Sequence, residues 1–172
     1  MNRLDVLHDR VIGTLKNKIP ELQTCVEVPD EWHKPPQKRL SILVPAILVA
    51  VTTLTPEASD GTERLILKSE WQATCIVGGT TTSERIRAAR ALAVQVASIV
   101  HTNRFQVMGV EPAYVQTLKP ADLDEELKYS AAAWVVTWEQ RIYLGDTPRD
   151  IQCSGVQEII LNEKVRRWES HV

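Results

Sequence analysis

Apolar and polar residues alternate with a period of two through residues 64–78, RLILKSEWQATCIVG. Leu65, Leu67, Trp71, Ala73, Cys75 and Val77 fall on one side, and Lys68, Glu70, Gln72 and Thr74 on the other, as in a half-buried strand. The run from Ala131 to Leu144 repeats the pattern: Trp134, Val136, Trp138, Ile142 and Leu144 share a face opposite Thr137, Glu139, Arg141 and Tyr143. A strand of about 13 residues spans roughly 40 Å, against a typical length of about 5–6 residues. A domain of this size is only about 30 Å across. Such strands either bend sharply or run past the core, where their backbone groups need partners from another chain.

The remaining elements follow from the same kind of reading. Leu4, Leu7, Val11, Leu15 and Ile19 recur at helical spacing, and Pro20 ends that helix. A short strand over residues 24–28 precedes PDEWHKPPQKR, whose prolines Pro29, Pro35 and Pro36 forbid regular structure. Residues 45–55 read as a strand. The turn signal Asp60-Gly61 joins it to the long strand as an antiparallel hairpin whose arm covers residues 52–70. Gly78-Gly79 break the strand, and Thr81 with Glu84 has capping-box spacing for a helix over residues 82–102. Ile86, Ala89, Ala93, Val96, Ala97 and Val100 form its apolar arc, with Glu84, Arg87, Gln95 and Ser98 opposite. Residues 112–118 give a further strand, and ADLDEEL an acidic insertion. The order α-β-β-β-α-β-β predicts an α+β fold: an antiparallel or mixed sheet, two long helices packed on one face, and an extended β-hairpin arm. Residues 1–145 form the domain. Residues 146–172, containing VQEIIL and KVRRWES, form an extension for inter-subunit or partner contact.

Composition narrows the function more by exclusion than by assignment. At 172 residues, 44% hydrophobic and 24% charged, the chain is sized and composed for one globular domain. A net charge of −2 and a pI near 6.1 argue against a dedicated nucleic-acid binder. The longest apolar run, residues 42–51, is strand-sized and contains Pro45, so it is no membrane span. MNRLDVLHDR lacks a signal-peptide core, which predicts synthesis in the cytoplasm. Cys25, Cys75 and Cys153 are odd in number and widely spaced, suiting a reducing compartment.

No residue set announces catalysis, so the chain is read as no enzyme, with no cofactor and no metal. His8, His33, His101 and His171 stand in no metal-ligand spacing, and His8 and His101 are expected on solvated helix surfaces. Cys75 lies on the apolar strand face, where a buried inert thiol is expected. IVGGTTTSE combines a strand, two glycines and a helix N-terminus, an arrangement that can cradle phosphate. It matches neither nucleotide-binding glycine motif, and a sharp turn with a threonine cap explains the same residues. Asp124, Glu125 and Glu126 are adjacent and read as a solvated face. Trp32 among Lys34, Lys38 and Arg39 reads as an anchor for a protein partner.

Taken together, LDVLHDRVIGTLKNKIPEL, PAILVAVTTLTP, the 64–78 strand, TTTSERIRAARALAVQVASIV and AAAWVVTWEQRIYLG make the chain resemble bacteriophage tail terminator, or tail completion, proteins of the Mu-like kind. The resemblance runs from Leu4 to Leu144. It implies a structural virion protein, made in the bacterial cytoplasm. Six copies would close into a ring at the head-proximal end of the tail tube, stop its polymerisation and present a surface to the neck protein. Genomic DNA would pass through the channel without specific binding, which suits a mildly acidic chain. Interface positions expected from this reading are Trp32, Lys34, Lys38, Arg39, Glu57, Asp60, Arg64, Arg141 and Trp168. The competing readings are another head–tail connector or stopper and, from a different class, a small nucleotide-binding or enzymatic domain built on the Gly78-Gly79 turn.

Overall fold

The computed structural model describes residues 2–28, 42–58, 61, 64–123 and 127–145. Along these the elements are α1 (Arg3–Lys18), β1 (Thr24–Glu27), β2 (Ala46–Glu57), β3 (Leu65–Gly78), α2 (Thr82–Val100), β4 (Tyr114–Ala121) and β5 (Ala131–Leu144). The expected order holds throughout, with boundaries shifted by at most three residues. The strands form one sheet in the order β1-β2-β3-β5-β4. Every pairing is antiparallel except β1 with β2, where Thr24 to Glu27 run parallel to Ala46 to Val49, so the sheet is mixed.

Local chemistry fixes both helix starts. The Asn2 side chain accepts the Asp5 backbone N–H at 2.9 Å, and the Asp5 carboxylate accepts the Asn2 N–H at 3.4 Å. Thr81 and Glu84 make the same reciprocal cap on α2, as their spacing predicted. Both helices lie on one face of the sheet. Leu7, Val11 and Leu15 of α1, with its C-cap Ile19, join Ala93, Val96 and Val100 of α2 over Val49, Trp71, Ala73, Val136 and Trp138. Trp71 and Trp138 sit opposite each other across β3 and β5 and stack with centroids 5.7 Å apart.

Three expectations need correcting. Ile86 is 44% exposed, because the buried stripe of α2 runs through Arg85, Ala89, Leu92, Ala93, Val96 and Val100, one position away. His8 is not a solvated side chain: it leans on Trp71 with ring centroids 5.5 Å apart and keeps only 12% exposure, its Nδ1 3.6 Å from the Glu27 carboxylate. The hairpin arm is broader than two strands, because β5 pairs with β3 along its full length, from Gly78 opposite Ala131 to Leu65 opposite Leu144.

Two polar residues occupy the helix-side face at matching register, Ser69 opposite Gln140, and both are buried. The Ser69 hydroxyl donates to the Gln140 carbonyl at 2.6 Å and accepts the Trp71 indole N–H at 2.8 Å. Gln140 Nε2 donates to the Asn103 and Glu111 carbonyls at 3.1 and 2.8 Å. It thereby pins the connection between α2 and β4, in which Thr102, Phe105 and Gln106 hold left-handed φ values of 64°, 53° and 58°. The Asn103 carbonyl also accepts from the Ala113 N–H, so removing the amide chiefly orphans the Glu111 carbonyl. Gln140→Leu is therefore expected to destabilise the fold by about 2 kcal/mol, read as a lower urea midpoint, and to speed amide exchange in residues 101–113.

Candidate assembly surface

The outer third of the sheet is a ribbon built from the last residues of β2, the first of β3 and the last of β5. Residues 52–56 are all exposed, and on the ribbon's helix side Leu54 is exposed to 42% and Leu65 to 48%. Leu54 and Leu65 occupy register positions that nearer the core face the helices, opposite Ser69 and Leu144. The strands thus extend beyond the helical layer, which leaves Leu54 and Leu65 bare, while Ile142 on the same side is buried and Leu144 partly so.

The ribbon's other face carries charge. Lys68 lies directly opposite Arg141, and Glu70 directly opposite Glu139, pairings that are unfavourable as they stand. Diagonal contacts relieve them. Lys68 Nζ is 3.0 Å from Glu139 and 3.9 Å from Glu70. Arg141 makes a two-pronged ion pair with Glu57, its second prong at 3.4 Å, and lies 3.6 Å from Glu111. The Tyr143 hydroxyl donates to Glu111, and the Arg64 guanidinium stacks over the Tyr143 ring at 5.2 Å. The Arg141 hydrogen bond and charge hold the Glu57 carboxyl below its usual range, while hydrogen bonding to Glu139 raises Lys68. Solvent-exposed pairs of this kind contribute little to stability. Their stronger effect is to fix an ordered charge pattern that a complementary surface can match.

Of the expected interface residues, Glu57, Arg64 and Arg141 converge here, linked through Glu111 and Tyr143. Trp32, Lys34, Lys38, Arg39, Asp60 and Trp168 lie outside the described residues. Lys68, Glu70 and Glu139 were visible in the sequence only as the polar side of two strands. Glu111 belongs to a connection without periodicity, and nothing in the sequence singles it out.

The Gly78-Gly79 turn is already filled by the chain's own groups. The Glu84 carboxylate accepts from the Thr81 N–H at 3.3 Å and the Thr80 hydroxyl at 3.0 Å, so a negative charge already occupies the start of α2. The buried Arg85 guanidinium reaches back to the Gly79 carbonyl at 3.0 Å and the Thr82 hydroxyl at 3.1 Å. A Cβ on Gly79 would come within 3.0 Å of Arg85 Cγ, so the glycine makes room for this arginine rather than for a phosphate. Burial pushes the thiols of Cys25 and Cys75 up to about 11 and about 12, which leaves them protonated and unreactive at neutral pH. Among the described residues no group of three His, Cys, Asp or Glu is placed to hold a metal ion, and no helix is long and apolar enough to cross a membrane.

No family model matches the sequence, and no curated protein does. Solved structures do share its fold. A chain from the virion of a native gene transfer agent (GTA) particle is similar over 80% of this chain and 95% of its own, with a TM-score of 0.53 at 9% identity. A second solved structure, which carries no functional description, is similar over 84% of this chain and 96% of its own, with a TM-score of 0.50 at 12% identity. Both likenesses span nearly the whole of the matched chains at low identity, so what this protein has in common with a gene transfer agent virion chain is its fold.

Proposed function

We propose that the chain is a structural virion protein of a phage-like particle. Copies of it, six in number, close into a ring that ends the tail tube at its head-proximal end and joins it to the neck. Its role is architectural rather than catalytic, and the DNA in the channel passes without specific recognition. The observation that carries this reading is the ribbon of β2, β3 and β5, with Leu54 and Leu65 exposed on one side and ordered charge on the other, on a fold shared with a gene transfer agent virion chain. A closed ring needs two different patches on each subunit, and a two-faced ribbon reaching beyond the core supplies material for both. The extension 146–172 is assigned to contacts with neighbouring copies or partners.

The test is to add the purified protein to tube protein during polymerisation. Shorter tubes, with density of this protein at one end in negative-stain electron microscopy, are expected. Binding to a portal-side protein with no effect on tube length would instead favour a connector or stopper. Binding to neither would remove the proposal.

A further inference from the structure

Beside the end of β5, the connection between α2 and β4 turns back through Gly109, whose φ is 72°. Arg64, Arg104, Gly109, Val110, Glu111 and Tyr143 line a pocket of about 300 Å³ there. Arg3, the first residue of α1, lays its guanidinium on Gly109: a Cβ on that glycine would lie 2.9 Å from Nη1 and 3.1 Å from Cζ. Four guanidiniums, those of Arg3, Arg64, Arg104 and Arg141, thus gather around two carboxylates, Glu57 and Glu111. Both carboxylates are already engaged, Glu57 by Arg141, and Glu111 by Arg141 and the Tyr143 hydroxyl. The Asp5 carboxylate, two residues from Arg3, is taken up by the cap of α1. The next row of the ribbon, Glu70 and Glu139 around Lys68, is closed on its own ammonium. The Arg3 and Arg104 guanidiniums make no hydrogen bond or ion pair among the described residues. A cation in the first turn of a helix also opposes the helix dipole, so the dipole gives no reason for Arg3.

We propose that this pocket binds a phosphate group, with the Arg3 and Arg104 guanidiniums as its principal donors and Arg64 adding charge. Like charges gathered at one place repel unless a counter-charge is supplied, and the chain supplies two negative charges for four positive ones. A carboxylate has a single charge and two oxygens for one guanidinium fork. A phosphate has up to two charges and oxygens on several sides, which matches both the excess charge and the number of forks. The pocket lies within one subunit, so the proposal does not depend on the ring. Two sources share this chemistry: inorganic phosphate, and the backbone of the DNA that the ring reading places in the channel. A backbone contact reads no sequence, in keeping with passage without specific recognition.

Thermal melts of the full-length protein in sodium phosphate, sodium chloride and sodium glutamate at equal ionic strength test the site. Phosphate stabilises folded proteins in general, so the readout is the part of the rise that substitution removes. R104Q and R3Q are compared with the parent and with R87Q, which alters an exposed arginine on α2 outside the pocket. Arg104 is exposed and has no bond to lose, so R104Q keeps the fold. The expected result is a midpoint a few degrees higher in phosphate than in chloride for the parent and R87Q, with most of that rise lost in R104Q and R3Q. Fluorescence anisotropy with a labelled DNA duplex then separates the sources. Duplex binding that weakens about tenfold in R104Q assigns the site to the backbone. A phosphate rise sensitive to R104Q, without duplex binding, assigns it to the free ion, and either result supports the site. An equal rise in all four proteins, no rise at all, or a rise in glutamate as large and as sensitive to R104Q would overturn the proposal. The ring reading stands or falls separately, on the tube-length assay.

Discussion

Replacing Trp71 with alanine is expected to remove about 3–5 kcal/mol of stability, a large part of the ~5–15 kcal/mol that holds a typical domain folded. Trp71 is fully buried at the point where α1, β3 and β5 meet. Its ring stacks on Trp138 at 5.7 Å and supports His8 at 5.5 Å, and its indole N–H satisfies the buried Ser69 hydroxyl at 2.8 Å. Alanine would leave a cavity that the rigid sheet on one side and the capped helix on the other cannot close. The check is a urea melt followed by near-ultraviolet circular dichroism, and Trp71→Phe, which keeps most of the ring area, should recover more than half of the loss. A midpoint for Trp71→Ala close to that of the parent would mean that the two tryptophans do not form the centre of the core.

The second large effect falls on assembly rather than on the fold. Leu54→Asp combined with Leu65→Asp is expected to prevent formation of the proposed ring while leaving the melting temperature within a few degrees. Both leucines are already nearly half exposed on the ribbon, so the isolated subunit loses little by their removal. A half-exposed leucine has roughly half of its ~1.5–3 kcal/mol burial energy still to gain from a partner. A carboxylate in its place would have to be desolvated at the contact without a counter-charge, and this penalty recurs at every interface of a ring.

Much of the architecture was legible because its signals are periodic. The alternation through Leu65–Gly78 and Ala131–Leu144 gave both long strands nearly to the residue, and Thr81 with Glu84 gave the start of α2. The direction of β1 was not legible, since four residues carry no mark of which way they pair. Nor was the connection between α2 and β4, where left-handed Thr102, Phe105 and Gln106 are held by the long-range bonds of Gln140 to Asn103 and of Thr102 to Ala113 as well as by the local turn of the Asn103 side chain onto the Phe105 N–H. Its anchor did leave a trace: Ser69 and Gln140 interrupt two apolar stripes, and a polar residue inside such a stripe implies a buried partner. The charged face of the ribbon was half visible. Glu57 and Arg64 fell within the expected hairpin arm and Arg141 on the polar side of the last strand, whereas Glu111 joins them only through the tertiary fold.

Light scattering on the purified full-length protein, run beside the Leu54→Asp/Leu65→Asp variant, tests the outer ribbon most directly. A mass that is a multiple of the 19.4 kDa chain, falling to a single chain in the variant while the melting curve is kept, is the predicted result. A parent protein that stays at 19.4 kDa at every concentration, or a variant that keeps the parent's full mass, would contradict it.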